Sequence, residues 1–156
     1  EAEVNALAPM DAAGTITNTA VVTGGGITPI TVTETIGTES EPILTITKSV
    51  SPVPVTENGT LTYTFLIQNA GSAPADIGTD AVIVDTFNPL LSNLAVSFNG
   101  TAWAETTNYT YDETTGVFTT IAGQITVPAA TYTQNPVTGV WTADPGVSTL
   151  VVKGTI

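Results

Sequence analysis

Thr60-Leu61-Thr62-Tyr63-Thr64-Phe65-Leu66-Ile67-Gln68-Asn69, running into Ala70-Gly71, decides the fold. Leu61, Tyr63, Phe65 and Ile67 recur at every second position, the period at which side chains of an extended chain return to one face of a sheet. Asn69-Ala70-Gly71 then supplies the residue types that turn a chain. Upstream, Leu44, Ile46, Lys48 and Val50 alternate in the same way, so both runs predict strands whose shared faces build the core. Downstream, residues 81–87 and 148–152 read as further strands.

Turn chemistry separates these runs at Glu57-Asn58-Gly59, Asn99-Gly100, Thr114-Thr115-Gly116 and Pro136-Val137-Thr138-Gly139. The clearest hairpin covers residues 95–104, where Asn99-Gly100 offers two residues that accept positive φ. Tyr109, Tyr111, Phe118, Tyr132 and Trp141 are expected around the ends of the core, because rings of this area pack rather than stand as a sugar platform. Short strands punctuated at this spacing predict an all-β protein, an antiparallel sandwich.

Composition narrows the function. The 156 residues, 42% hydrophobic, suffice for one cored domain with an appendage. Two Lys and Arg stand against 14 Asp and Glu, a net charge of −12. Nucleic acid, which demands cations for its phosphates, is therefore not an expected partner, and neither is an anionic membrane. An acidic surface suits an extracellular setting. The sequence contains no Cys and no His, which excludes disulfides, thiolate or imidazole metal sites and histidine acid–base chemistry. No metal and no cofactor is expected. No apolar run approaches the roughly 20 residues of a membrane helix. A chain opening on Glu1 without an apolar leader is expected to be a processed or excised product.

Residues 1–42 differ from the rest. Thr15-Ile16-Thr17-Asn18-Thr19-Ala20-Val21-Val22 is strand-like, Gly24-Gly25-Gly26 reads as a flexible break, and residues 27–36 form a second extended stretch. These strands have no obvious partner of their own. Isolated strands need a sheet to satisfy their backbone, so something is expected to hold them.

Residues 43–156 resemble the tandem repeat of bacterial and archaeal surface proteins called domain of unknown function eleven, an Ig-like sandwich. The resemblance rests on Leu44-Thr45-Ile46-Thr47-Lys48, Thr62-Tyr63-Thr64, Asn69-Ala70-Gly71, Val84-Asp85-Thr86 and Pro145-Gly146-Val147-Ser148-Thr149-Leu150. It departs from that pattern at Phe87-Asn88-Pro89. In such repeats the closing strand reads like Thr15 to Val22, which here precedes the opening strand. The resemblance thus implies an Ig-like sandwich over residues 43–156 that lacks its last strand, with residues 1–42 an extended arm carrying a closing strand for a neighbour. A strand donated in this way makes a heterologous contact that repeats into a filament. A tandem protein cut at an arbitrary place, or an arm folded back on its own domain, remains the alternative.

Lys48 shares a strand face with Leu44, Ile46 and Val50, Asp85 with Ile83 and Phe87, and Asn18 with Ile16, Ala20 and Val22. All three are expected to point inward, where an ammonium needs partners. Ig-like pilin and adhesin domains carrying Lys on an early strand and Asn on the last imply one chemistry for this set. Neutral Lys48 would attack the Asn18 amide while protonated Asp85 polarises it, leaving an isopeptide crosslink between subunits. A Lys48–Asp85 ion pair with Asn18 hydrogen-bonded nearby is the plainer alternative.

Weaker signals are Asp76, Gly78 and Asp80, too few carboxylates for calcium and read as a solvated turn, and Asp112-Glu113, read as a hairpin turn. Asn58, Asn99 and Asn108 fit the Asn-X-Thr pattern for surface glycans. The expected function is a non-enzymatic structural subunit of an extracellular, pilus-like fibre whose partners are copies of itself, with an adhesin or spacer module of a surface stalk as the alternative.

Overall fold

Extended backbone dominates the computed structural model, which describes residues 15–37 and 40–156 and contains, among these, one 3-10 turn at Ile77–Thr79. Residues 1–14 and 38–39 of the expected arm lie outside the described residues. In chain order the strands are β1 (Thr15–Val22), β2 (Ile30–Gly37), β3 (Leu44–Ser51), β4 (Thr60–Asn69), β5 (Val84–Thr86) and β6 (Ser92–Phe98). They continue with β7 (Thr101–Trp103), β8 (Tyr109–Asp112), β9 (Val117–Thr120), β10 (Thr131–Gln134), β11 (Trp141–Asp144) and β12 (Gly146–Thr155).

A five-stranded sheet has the order β3-β4-β12-β6-β7 and a three-stranded sheet the order β5-β9-β8; β1-β2 and β10-β11 are separate hairpins. All these pairings are antiparallel. The chain is therefore nearly all-β, with several antiparallel sheets, consistent with a β-sandwich. Leu61, Tyr63, Phe65 and Ile67 of β4 are buried as their alternation predicts. They join Val96 and Phe98 of β6 and Leu150 and Val152 of β12 in one cluster with Phe87, Tyr109 and Phe118 from the second sheet and its approach. Each large apolar side chain taken fully from water contributes roughly 1.5–3 kcal/mol. Phe87 is the hinge of the aromatic packing, its ring centroid 4.7 Å from Tyr63 and 5.7 Å from Phe118.

Asn69 closes β4 and has no exposed surface. Its Oδ1 accepts from the Ile43 and Gly71 amides, at 2.9 Å each, and its Nδ2 donates to the carbonyls of Ala73 and Pro128. One amide thus uses its full hydrogen-bonding capacity to tie the entry to β3, the turn after β4 and the segment before β10. Gly71 lies so close to that entry that an added Cβ would stand 2.1 Å from the Glu41 carbonyl. Ser40 and Ser72 hydroxyls are hydrogen-bonded at 2.6 Å. Residues 40–43 are consequently held along residues 69–72.

Three expectations need correction. The strand expected over residues 81–87 shrinks to β5, because only Val84–Thr86 find ladder partners on β9. The first-strand face expected in the core is uncovered: β3 is an outer strand of its sheet, and Leu44, Ile46 and Val50 keep 37%, 50% and 40% of their surface exposed. Burial depends on what lies opposite, which alternation within one strand does not encode. Finally, the two arm strands do have a partner of their own, each other, with Thr15 opposite Gly37 through Val22 opposite Ile30. Gly24, Gly25 and Gly26 all have positive φ and the Ile27 amide donates to the Gly24 carbonyl, so the three glycines make a turn rather than a flexible break.

Candidate assembly site

Cross-strand register fixes which way β3 faces. Leu44 lies opposite Asn69, Ile46 opposite Ile67, Lys48 opposite Phe65 and Val50 opposite Tyr63, so these four β3 residues share the core side of the sheet. From the other side, Ala81, Ile83, Asp85 and Phe87 present the more buried face of their segment. Between the two runs opens an apolar groove of about 150 Å³, lined by Leu44, Ile46, Ile67, Ala81, Ile83 and Ile125 among others.

Lys48 and Asp85 lie two residues beyond the groove-lining Ile46 and Ile83 along the same two runs. Lys48 Nζ forms an ion pair with Asp85 Oδ2, joining an edge of the five-stranded sheet to an edge of the three-stranded sheet. The ammonium also lies 4.7 Å from the Tyr63 ring centroid, 5.3 Å from Phe87 and 5.6 Å from Phe65. Negative ring faces supply part of the solvation lost on approaching the core. The expected burial is incomplete, with the two side chains 37% and 19% exposed. Beside this pair, burial first, then the charge of Asp85 and the proximity of Tyr111, push the Tyr63 hydroxyl above its usual range. Tyr109 is raised by burial and then by Glu105.

Asn18, expected beside Lys48 of a neighbouring copy, is within its own chain an exposed residue of β1 directly opposite Glu34 of β2. The hydrogen bonds and ion pair of Lys48 do not include it. The residue that sequence reasoning missed is Glu34. On the β1-β2 hairpin, Ile16, Asn18, Ala20 and Val22 are paired with Ile36, Glu34, Val32 and Ile30, which places all eight on one face. The opposite face is a threonine ladder in which Thr17 meets Thr35 at 3.3 Å and Thr19 meets Thr33 at 3.2 Å. The apolar face, with Asn18 and Glu34 as its polar centre, is exposed from end to end. Two in-phase runs of eight residues around a glycine turn were the signal that identifies it.

The remaining residues singled out by sequence have local employment. Asp76 accepts from the Gly78 amide and caps the 3-10 turn. Asp112 accepts from the Thr114 amide and the Thr115 hydroxyl, which hold its carboxyl below the usual range and make it a turn residue. Asn99 Nδ2 donates to Ser148 Oγ and Asn108 Nδ2 to Gln124 Oε1, whereas Asn58 is exposed in its turn. Among the described residues, no group of three His, Cys, Asp or Glu side chains gathers as a metal site. No helix among them is long and apolar enough to cross a membrane.

Scans against protein-family models, curated proteins and solved structures found no match.

Proposed function

We propose that this chain is a structural subunit of an extracellular filament, with an Ig-like sandwich that receives a strand from a neighbouring copy along β3. The observation that carries this reading is the uncovered inner row of β3, where Leu44, Ile46 and Val50 flank Lys48 on a strand that has, among the described residues, β4 as its sole ladder neighbour. An edge with apolar side chains on its core side is a template for another strand. The donor is Thr15 to Val22. Run antiparallel to β3 with Asn18 beside Lys48, it sets Ile16 beside Val50, Ala20 beside Ile46 and Val22 beside Leu44, so that every apolar residue meets another. The net charge of −12 makes copies repel one another in general, so the seam's apolar and polar matches must offset that repulsion.

Within that seam Lys48, Asp85 and the incoming Asn18 form a competent set for an isopeptide bond. Asp85 takes a proton from the Lys48 ammonium, the freed amine attacks the Asn18 carboxamide carbon, and the proton returns to the departing nitrogen, so one C–N bond forms, one breaks and ammonia leaves. The donated strand would complete the burial that the open groove lacks.

Electron microscopy of concentrated protein, together with intact mass under denaturing conditions, tests both levels. Fibres are expected, with a ladder of multimers each lighter by one ammonia per junction if the crosslink forms. Monomers at all concentrations overturn the filament; fibres that dissolve to unmodified monomer mass overturn only the crosslink.

A further inference from the structure

Resting on the filament reading, we infer that the donated unit is the whole β1-β2 hairpin, and that Glu34 enters the Lys48–Asp85 site of a second copy together with Asn18. An exposed two-stranded ribbon with one face apolar except at Asn18 and Glu34 is marginal in water and gains most by laying that face against another sheet. Opening the ribbon to donate β1 alone would abandon eight paired positions and leave Ile30, Val32 and Ile36 uncovered. Donated intact, the ribbon extends the neighbour's five-stranded sheet by two strands and turns its apolar face in the direction of Leu44, Ile46 and Val50.

Register and charge identify the occupant as a copy of this chain. In the alignment that brings Asn18 beside Lys48, its cross-strand partner Glu34 lies at the same level, two strand spacings or about 10 Å from Lys48 at the backbone, a gap that a Lys and a Glu side chain close together. The single polar level of the hairpin face therefore meets Lys48, the single polar residue of the β3 row Leu44, Ile46, Lys48 and Val50. Lys48 is one of only two cations in the chain, and the hairpin face carries one carboxylate to meet it.

The geometry also disfavours the hairpin's own domain as acceptor. Ser40 to Ile43 are fixed along residues 69–72, so a fold-back of β2 onto β3 would have to turn within Thr38-Glu39. Neither residue favours the positive φ of a two-residue hairpin turn. Such a turn would also pair Thr33 with Leu44 and Thr31 with Ile46, placing the threonine face inward, a slip that sheets with one buried face do not tolerate.

The experiment is a charge exchange between two chains, read by sedimentation velocity under native conditions. Glu34→Lys alone opposes Lys48 in every neighbour, and Lys48→Glu alone opposes Glu34; each is expected to raise the concentration needed for assembly by about tenfold or more. An equimolar mixture restores opposite charges at every alternating junction and is expected to recover non-covalent assembly near the concentration the unmodified chain needs, although junctions at Lys48→Glu carry no crosslink. Lys48→Gln serves as a second acceptor variant should the carboxylate beside Asp85 disturb the fold. Assembly of Glu34→Lys alone at the normal concentration, or failure of both mixtures, overturns the hairpin inference while leaving β1 donation standing. Failure of the unmodified chain to assemble overturns both.

Discussion

Lys48 and Asp85 form an ion pair that spans two sheet edges, β3 on one side and β5 on the other, above the rings of Tyr63 and Phe87. Because solvent still reaches both partners, the pair is worth less than a buried one and more than a surface one. Lys48→Ala, which leaves Asp85 against aromatic carbon without a partner, is expected to cost about 2 kcal/mol. Asp85→Ala leaves an ammonium that still reaches water and is expected to cost about 1 kcal/mol, with a coupling of about 1 kcal/mol in the double-mutant cycle. Urea unfolding of the four proteins measures all three values.

Asn69 offers a sharper test of the fold. Removing its amide strands the Ile43 and Gly71 N–H groups and two carbonyls, so Asn69→Ala is expected to lower stability by roughly 2–4 kcal/mol. Asn69→Asp keeps the acceptor but turns a second oxygen toward the carbonyls of Ala73 and Pro128, and is expected to be at least as damaging. Equal stability of Asn69→Asp and the unmodified chain in urea would refute this account of the hub.

Two glycines separate crowding from backbone strain. A Cβ at Gly146 would lie 1.8 Å from the Pro128 carbonyl, whereas one at Gly100 meets nothing within 4 Å and suffers only from a φ of +81°. Gly100→Ala is expected to cost about 1 kcal/mol. Gly146→Ala must displace backbone and is expected to cost several times as much in thermal or urea unfolding, with the order of the two variants as the readout.

Tyr63 and Tyr109 make stability fall in alkali. Each favours the neutral phenol in the folded chain, so their contribution is complete below the ordinary value of 10.0 and is lost as pH rises through the raised folded value. Stability is expected to hold up to about pH 10 and then to decline with tyrosinate absorbance at unfolding. Tyr63→Phe is expected to flatten the decline, because it removes one of the two titrating groups; an unchanged slope would contradict that assignment.

Much of the β architecture was legible because β4 and β12 are covered on one face throughout, so their alternation is an image of the core. Asn99-Gly100 likewise encoded its hairpin through local conformation alone, with φ of 48° and 81°. The Lys48–Asp85 pair followed from two inward phases and the scarcity of cations. What did not follow was the exposure of β3, since Leu44 and Leu61 read alike until the neighbouring strands are known. The hairpin was hidden for a different reason: three successive glycines suggest freedom, and only the matching phases on either side reveal a ribbon with Glu34 opposite Asn18.

Hydrogen exchange along Leu44–Ser51, followed as protein concentration rises, tests the proposed seam most directly. In dilute protein, the β3 amides turned away from β4 face no strand among the described residues and are expected to exchange fast; on assembly they are expected to become as slow as those of β4. Assembly that leaves these amides fast, or slow exchange already present in the monomer, would contradict strand donation along β3.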